Sequence, residues 1–99
     1  MYRPLPDFLE IKGSPIEGAG LFTTKDLDIG VNLGVTHMYT KLPFDDNFVR
    51  TPLGGFINHS DNPNCHLIAK RDLYILNVKH KISAGEELTL KYGKIRDGF

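Results

Sequence analysis

Apolar and polar positions alternate in short bursts along this chain, and no window keeps the apolar spacing of a long amphipathic helix. Six segments carry strand-like patterning: Phe8–Lys12, Gly20–Thr24, Val31–Tyr39, His66–Lys70, Leu73–Lys79 and Glu86–Tyr92. Ten glycines and six prolines cut the chain into pieces of about five to eight residues, the length of ordinary strands. Asp72 begins a tight reversal between the fourth and fifth segments, which predicts a hairpin. In the last segment Leu88, Leu90 and Tyr92 share one face while Thr89 and Lys91 share the other, so the period turns Tyr92 inward with the leucines. A tyrosine aimed inward at a strand end needs a partner for its hydroxyl, from the protein or from a ligand. Pro43–Asn47 and Thr51–Gly55 read as loops, with a helical turn between them around Phe48–Arg50. The pattern predicts a mostly β fold of several short sheets with little helix.

Composition narrows the function. Ninety-nine residues make one small domain, which buries only roughly 60–65% of its unfolded surface and gains from self-association. Leu42, Phe44 and Phe48 would supply exposed apolar surface for a homodimer. Lys+Arg and Asp+Glu balance at 12 each, with the basic residues scattered, which argues against direct nucleic-acid binding. The longest apolar runs, such as Leu73–Leu76, are too short to span a bilayer, and the Met1-Tyr2-Arg3-Pro4 start carries no apolar signal region. The chain therefore reads as soluble and intracellular, with no membrane partner. A single cysteine, Cys65, excludes an internal disulfide, and with His59 and His66 it does not amount to a zinc site. His37 and His80 read as packing or surface residues.

Three constellations carry candidate chemistry. In Ser14-Pro15-Ile16-Glu17-Gly18-Ala19-Gly20-Leu21-Phe22, two glycines flank one residue at the mouth of an apolar strand, where backbone can approach a ligand closely. Taken alone this reads first as a hairpin turn, and without a third glycine and a helix it is not the dinucleotide fingerprint. In Gly54-Gly55-Phe56-Ile57-Asn58-His59-Ser60-Asp61-Asn62-Pro63-Asn64-Cys65, an apolar pair runs into a dense polar block. Asn58 could offer its amide oxygen to an ammonium and His59 its backbone groups to a heterocycle, although a polar turn suits these residue types equally. Ser83-Ala84-Gly85-Glu86-Glu87-Leu88-Thr89-Leu90-Lys91-Tyr92-Gly93 is by itself a turn and an edge strand ending on a packing tyrosine.

In their order, wording and spacing the three together resemble the SET domain, over about four-fifths of the chain from Ser14 to Gly93. The match is to the minimal, stand-alone type found in bacteria and viruses, which implies the cytoplasm or the host cell. Asn58-His59-Ser60 with Pro63-Asn64, followed by Gly85-Glu86-Glu87-Leu88-Thr89 and Tyr92, is a highly specific combination. The resemblance implies a SET fold, with the Asn-His segment threaded against the C-terminal strand as a pseudoknot, an exception to the rule against threading. It implies transfer of a methyl group from S-adenosylmethionine to a protein lysine, with a lysine-bearing protein or peptide as partner. Glu17, Gly18, Ala19, Gly20, Asn58 and His59 would hold the cofactor, Tyr92 would face the reacting methyl, and no metal is required. Tyr39, at the end of its strand, is a candidate for the lysine channel or for plain packing.

The chain also departs from the family pattern. Ala19 and Gly55 stand where arginine is frequent, and Asp61 where cysteine is frequent. No cysteines follow Tyr92, so the zinc-bound C-terminal segment of many members is missing from the pattern. Only 27 residues separate Gly30 from Asn58, which leaves a much reduced version of the variable insert that walls the substrate channel. A SET-like module that binds cofactor or a partner protein without turnover is the alternative that these departures keep open.

Overall fold

The computed structural model describes residues 5–39 and 48–92. Strand β1 (Leu9–Gly13) turns back into β2 (Ala19–Thr23), and the longer β3 (Asn32–Tyr39) follows. Next come β4 (Phe48–Arg50), the short helix α1 (Pro52–Phe56) and the two-residue strand β5 (Asn58–His59). The hairpin β6 (Cys65–Ala69) and β7 (Leu73–Val78) precedes the last strand, β8 (Glu87–Leu90). Two four-stranded sheets result, one ordered β1-β2-β8-β5 and the other β4-β3-β7-β6. All six strands expected from the alternation are present, displaced by a residue or two at their ends. The hairpin turn closes from Lys70 N to Leu73 O (2.8 Å), so Asp72 sits inside the reversal.

Three expectations need correction. Phe48–Arg50 is a strand and not a helical turn, because it pairs with His37–Tyr39 of β3. The helical turn lies one step later, in the stretch read as a loop. Thr51 caps it by accepting from Gly54 N (3.4 Å), and Pro52 starts it with a preset backbone angle. Two glycines argue against a helix on propensity alone, yet a Cβ at Gly54 would lie 2.5 Å from Thr36 O, so packing on β3 requires that glycine. Finally, β8 ends at Leu90, and Tyr92 is 37% exposed rather than buried with Leu88 and Leu90. The Pro43–Asn47 loop, and the Leu42 and Phe44 side chains behind the expected homodimer, lie outside the described residues; of Phe48 only the backbone is described.

The core is aliphatic. Leu21, Leu27, Leu33, Leu53, Ile57, Leu76, Val78, Ile82, Leu88 and Leu90 are each at most 3% exposed. Burying side chains of this size contributes about 1.5–3 kcal/mol apiece before entropy is subtracted. Outside the two sheets, Leu27 and Ile82 exchange backbone hydrogen bonds of 2.8 and 3.0 Å and tie the loop after β2 to the loop before β8. Cys65 is also in this core. Burial pushes its thiol up to about 12 against a smaller opposing effect of the Thr89 backbone, so it is an inert packing group.

Strand β8 lies inside the first sheet, with a partner on each edge. One edge of β8 pairs antiparallel with β2, through Leu21 with Leu88 and Phe22 with Glu87. Its other edge pairs parallel with β5, through Asn58 with Thr89 and His59 with Leu90. This non-local pairing sets the Asn58–His59 segment against the C-terminal strand, as expected of a SET fold. Beyond β5 the side chain of Asn64 continues the ladder. Its Nδ2 donates to Glu87 O (2.9 Å) and its Oδ1 accepts from Thr89 N (2.9 Å), while its own carbonyl receives Lys79 N and His80 N. Asn64→Ala strips partners from two backbone groups of β8, and urea denaturation should show a loss of about 2–3 kcal/mol. A loss below about 0.5 kcal/mol would remove this linking role.

Strand β3 bends twice, with register shifts between Asn32 and Gly34 and between Val35 and His37. Gly34 takes φ +121° at the first, and past the second both Thr36 and His37 are fully buried despite being neighbours. The Thr36 hydroxyl donates to Tyr74 O (3.3 Å), so it accepts from His37 Nδ1 (2.8 Å), which must carry the proton. Burial first, and the Arg50 charge second, hold the His37 pKa below its ordinary 6.5. Above that pH the ring is neutral folded or unfolded. Below it the unfolded chain takes up the proton first, so stability declines as pH falls towards the folded pKa. Tm should therefore drop between pH 6.5 and 5, and drop less steeply in His37→Gln; identical slopes would exclude His37 as the source.

Candidate active site

The site begins at the β1–β2 turn. Ser14 N donates to Gly18 O (2.8 Å), and Gly18 takes φ +45°, a left-handed conformation that glycine adopts without strain. Gly20 serves a different purpose. A Cβ there would lie 2.1 Å from Oε2 of Glu87, so its lack of a side chain admits that carboxylate beneath the turn. Ser14 Oγ lies 2.8 Å from each Glu87 carboxylate oxygen and donates its proton to this group.

Strand β5 then carries Asn58 and His59 past the turn. Asn58 Nδ2 reaches Glu17 O (3.1 Å), Ala19 O (3.3 Å) and Glu87 Oε2 (2.8 Å). Its amide nitrogen is thus committed to the protein, while among the described residues no donor reaches Oδ1. His59 Nδ1 accepts from Tyr92 N (2.9 Å), so this nitrogen keeps its lone pair. The proton sits on Nε2, 3.1 Å from Asp61 Oδ1. The two rings lean on each other, with centroids 5.1 Å apart at 60°.

Tyr92 is held at both ends, by His59 at its backbone and by its hydroxyl, which donates to Ile57 O. Burial raises the phenol pKa, the Arg50 charge opposes that rise, and the Glu17 charge adds to it. The hydroxyl is therefore protonated at neutral pH and acts as a donor towards Ile57. That leaves its lone pairs directed elsewhere.

Glu17, Gly18, Ala19, Gly20, Asn58, His59 and Tyr92, scattered over 76 positions of sequence, are thus gathered into one cluster. Tyr39 belongs to the other sheet, opposite Phe48 on β4. Sequence reasoning missed Glu87, which collects Ser14 and Asn58, and Arg50, whose charge acts on both Tyr92 and His37. Both lay inside stretches already singled out, but neither announces its direction. Glu86 and Glu87 are adjacent and alike, yet Glu86 only closes the preceding turn on Ser83 N (2.6 Å). Among the described residues no group of three His, Cys, Asp or Glu side chains could hold a metal ion. No helix among them is long and apolar enough to cross a membrane.

The SET domain family profile matches residues 36–93, and the chain belongs to that family. It is 37% identical over 70 residues to the H3 lysine-36-specific histone-lysine N-methyltransferase of Candida albicans, covering 63% of this chain and 8% of that protein. It is 38% identical over 55 residues to the probable histone-lysine N-methyltransferase set-23 of Caenorhabditis briggsae, covering 50% of this chain and 23% of that protein. The chain thus spans less than a quarter of either relative. A crystal structure from Plasmodium falciparum, of a protein assigned to the histone methyltransferases, superposes with a TM-score of 0.75. It covers 91% of this chain and 96% of that one at 15% identity, a likeness of fold.

Two glycines separate the local demands of the site from those of the fold. Gly20→Ala sets a methyl against the mobile end of Glu87, so the fold should survive while the carboxylate leaves Ser14 and Asn58. Gly54→Ala sets one against the backbone carbonyl of Thr36, which cannot step aside, and should cost about 1–3 kcal/mol through overpacking. Thermal unfolding with amide chemical-shift mapping distinguishes the two. Equal destabilisation by both would contradict the reading of Gly20.

Proposed function

We propose that this chain is a protein-lysine methyltransferase that uses S-adenosylmethionine. The observation that carries the reading is the joining of the Gly18–Gly20 turn to Asn58, whose neighbour His59 helps hold a doubly anchored Tyr92. The two named relatives bring lysine as the acceptor.

The residues suit the cofactor. Asn58 Oδ1 is an acceptor with no donor among the described residues, as an ammonium group requires, and the glycine turn offers backbone free of side-chain bulk. Asn58 and the 17–20 turn would hold the amino-acid end, and the β5 backbone at His59 the heterocycle. When bound, this cofactor supplies a methyl group on a positively charged sulfur that leaves readily.

What remains for the protein is mostly placement, which by itself can supply several kcal/mol of rate acceleration. Tyr92, with its proton committed to Ile57 O, would offer its oxygen as an electron-rich neighbour to the methyl-bearing group. His59 sets the position of that tyrosine through its backbone, and Asp61 fixes the His59 tautomer. The acceptor lysine has to arrive unprotonated, which an apolar approach beside a cation favours.

Tyr92→Phe tests the assignment, since it keeps the ring on His59 and deletes one oxygen. Folding and cofactor affinity should be retained, while the methylation rate, measured by mass spectrometry on a substrate that wild type modifies, falls about a hundredfold to a thousandfold. A Phe variant within about twofold of wild type would remove Tyr92 from the chemistry. Cofactor binding with no methylated lysine in any lysate or histone panel would favour the non-catalytic module instead.

A further inference from the structure

Glu87 does more than fill the space that Gly20 leaves. Its carboxylate takes the Ser14 hydroxyl and Asn58 Nδ2, and no lysine or arginine among the described residues lies within ion-pair distance of it. Hydrogen bonds alone offset its partial loss of water. A carboxylate only accepts, so it dictates which end of the Asn58 amide it faces. Turning that amide over would set Oδ1 against Glu87 Oε2, Glu17 O and Ala19 O, an array of acceptors with no proton among them. We infer that Glu87 is a positioning residue, which locks Asn58 with Oδ1 free to receive the ammonium of a cationic ligand.

This inference rests on the S-adenosylmethionine reading and assigns the residue that makes Asn58 an acceptor. Two predictions separate it from a structural role. Glu87 acts through Asn58, so its removal matters only while Asn58 is present. It also acts on the amino-acid end of the ligand, so a ligand without that end is indifferent to it.

Calorimetry with S-adenosylhomocysteine on wild type, Glu87→Gln, Asn58→Ala and the double variant tests both. Each single variant should bind about tenfold more weakly, the loss expected for one hydrogen bond to a charged group. The double variant should be no weaker than Asn58→Ala. Binding of 5′-methylthioadenosine, which lacks the amino-acid arm, should change less than about twofold in any of them. The inference is overturned by a Glu87→Gln affinity equal to wild type, by losses that multiply in the double variant, or by an equal loss on both ligands. A wild-type chain that binds neither ligand overturns the cofactor reading and this inference with it. If Glu87→Gln does not fold, the Asn58 side-chain amide protons of wild type decide. Slowed exchange with water supports the lock, and exchange at the rate of an exposed asparagine refutes it.

Discussion

Strand β8 has to satisfy two edges with partners from opposite parts of the chain. On one side β2 supplies an ordinary antiparallel ladder; on the other, only two residues of β5 are available, running parallel. Asn64 extends that short ladder by presenting its side-chain amide as a peptide group would, to Glu87 O and Thr89 N. Its backbone carbonyl meanwhile receives Lys79 N and His80 N, beyond the end of β7. One residue therefore couples the two sheets, and because β5 carries Asn58 and His59, it also fixes where the site lies.

The same strand brings charge into the site. Glu87 opens β8 and points towards the Gly18–Gly20 turn, whereas Glu86, one residue earlier, is spent on a turn. Around Tyr92 burial pushes the phenol pKa up, with Arg50 opposing and Glu17 reinforcing that push, which keeps the phenol protonated and its hydrogen bond to Ile57 intact. Ring contact with His59 and the backbone bond to His59 Nδ1 restrict it further. A site assembled in this way asks little of a large core. It needs a few short strands whose ends meet.

The departures of this chain from its family acquire local meaning. Asp61, where cysteine is frequent, sits beside His59 Nε2 and sets the tautomer that lets Nδ1 receive Tyr92 N. Gly55, where arginine is frequent, lies in the short helix with open space around its Cα. Nothing in the structure explains the absence of a side chain there.

Strand positions, the β6–β7 hairpin and the segments that meet at the candidate site were legible in the sequence, because alternation and turn chemistry are local and the Asn-His and Gly-Glu-Glu-Leu motifs are distinctive. The helix at Pro52–Phe56 was not. Its two glycines weaken the local signal, and Gly54 is there for the sake of Thr36, a neighbour in space and not in sequence. Nor could alternation place Tyr92, since β8 stops at Leu90 and the ring's position comes from His59 and Ile57. Which of two adjacent glutamates faces the glycine turn, and which end of the Asn58 amide faces that glutamate, were decided by tertiary structure alone. Hydrogen-bond direction depends on the partners that folding brings within about 3 Å, and these partners come from the β1–β2 turn, β5 and β8.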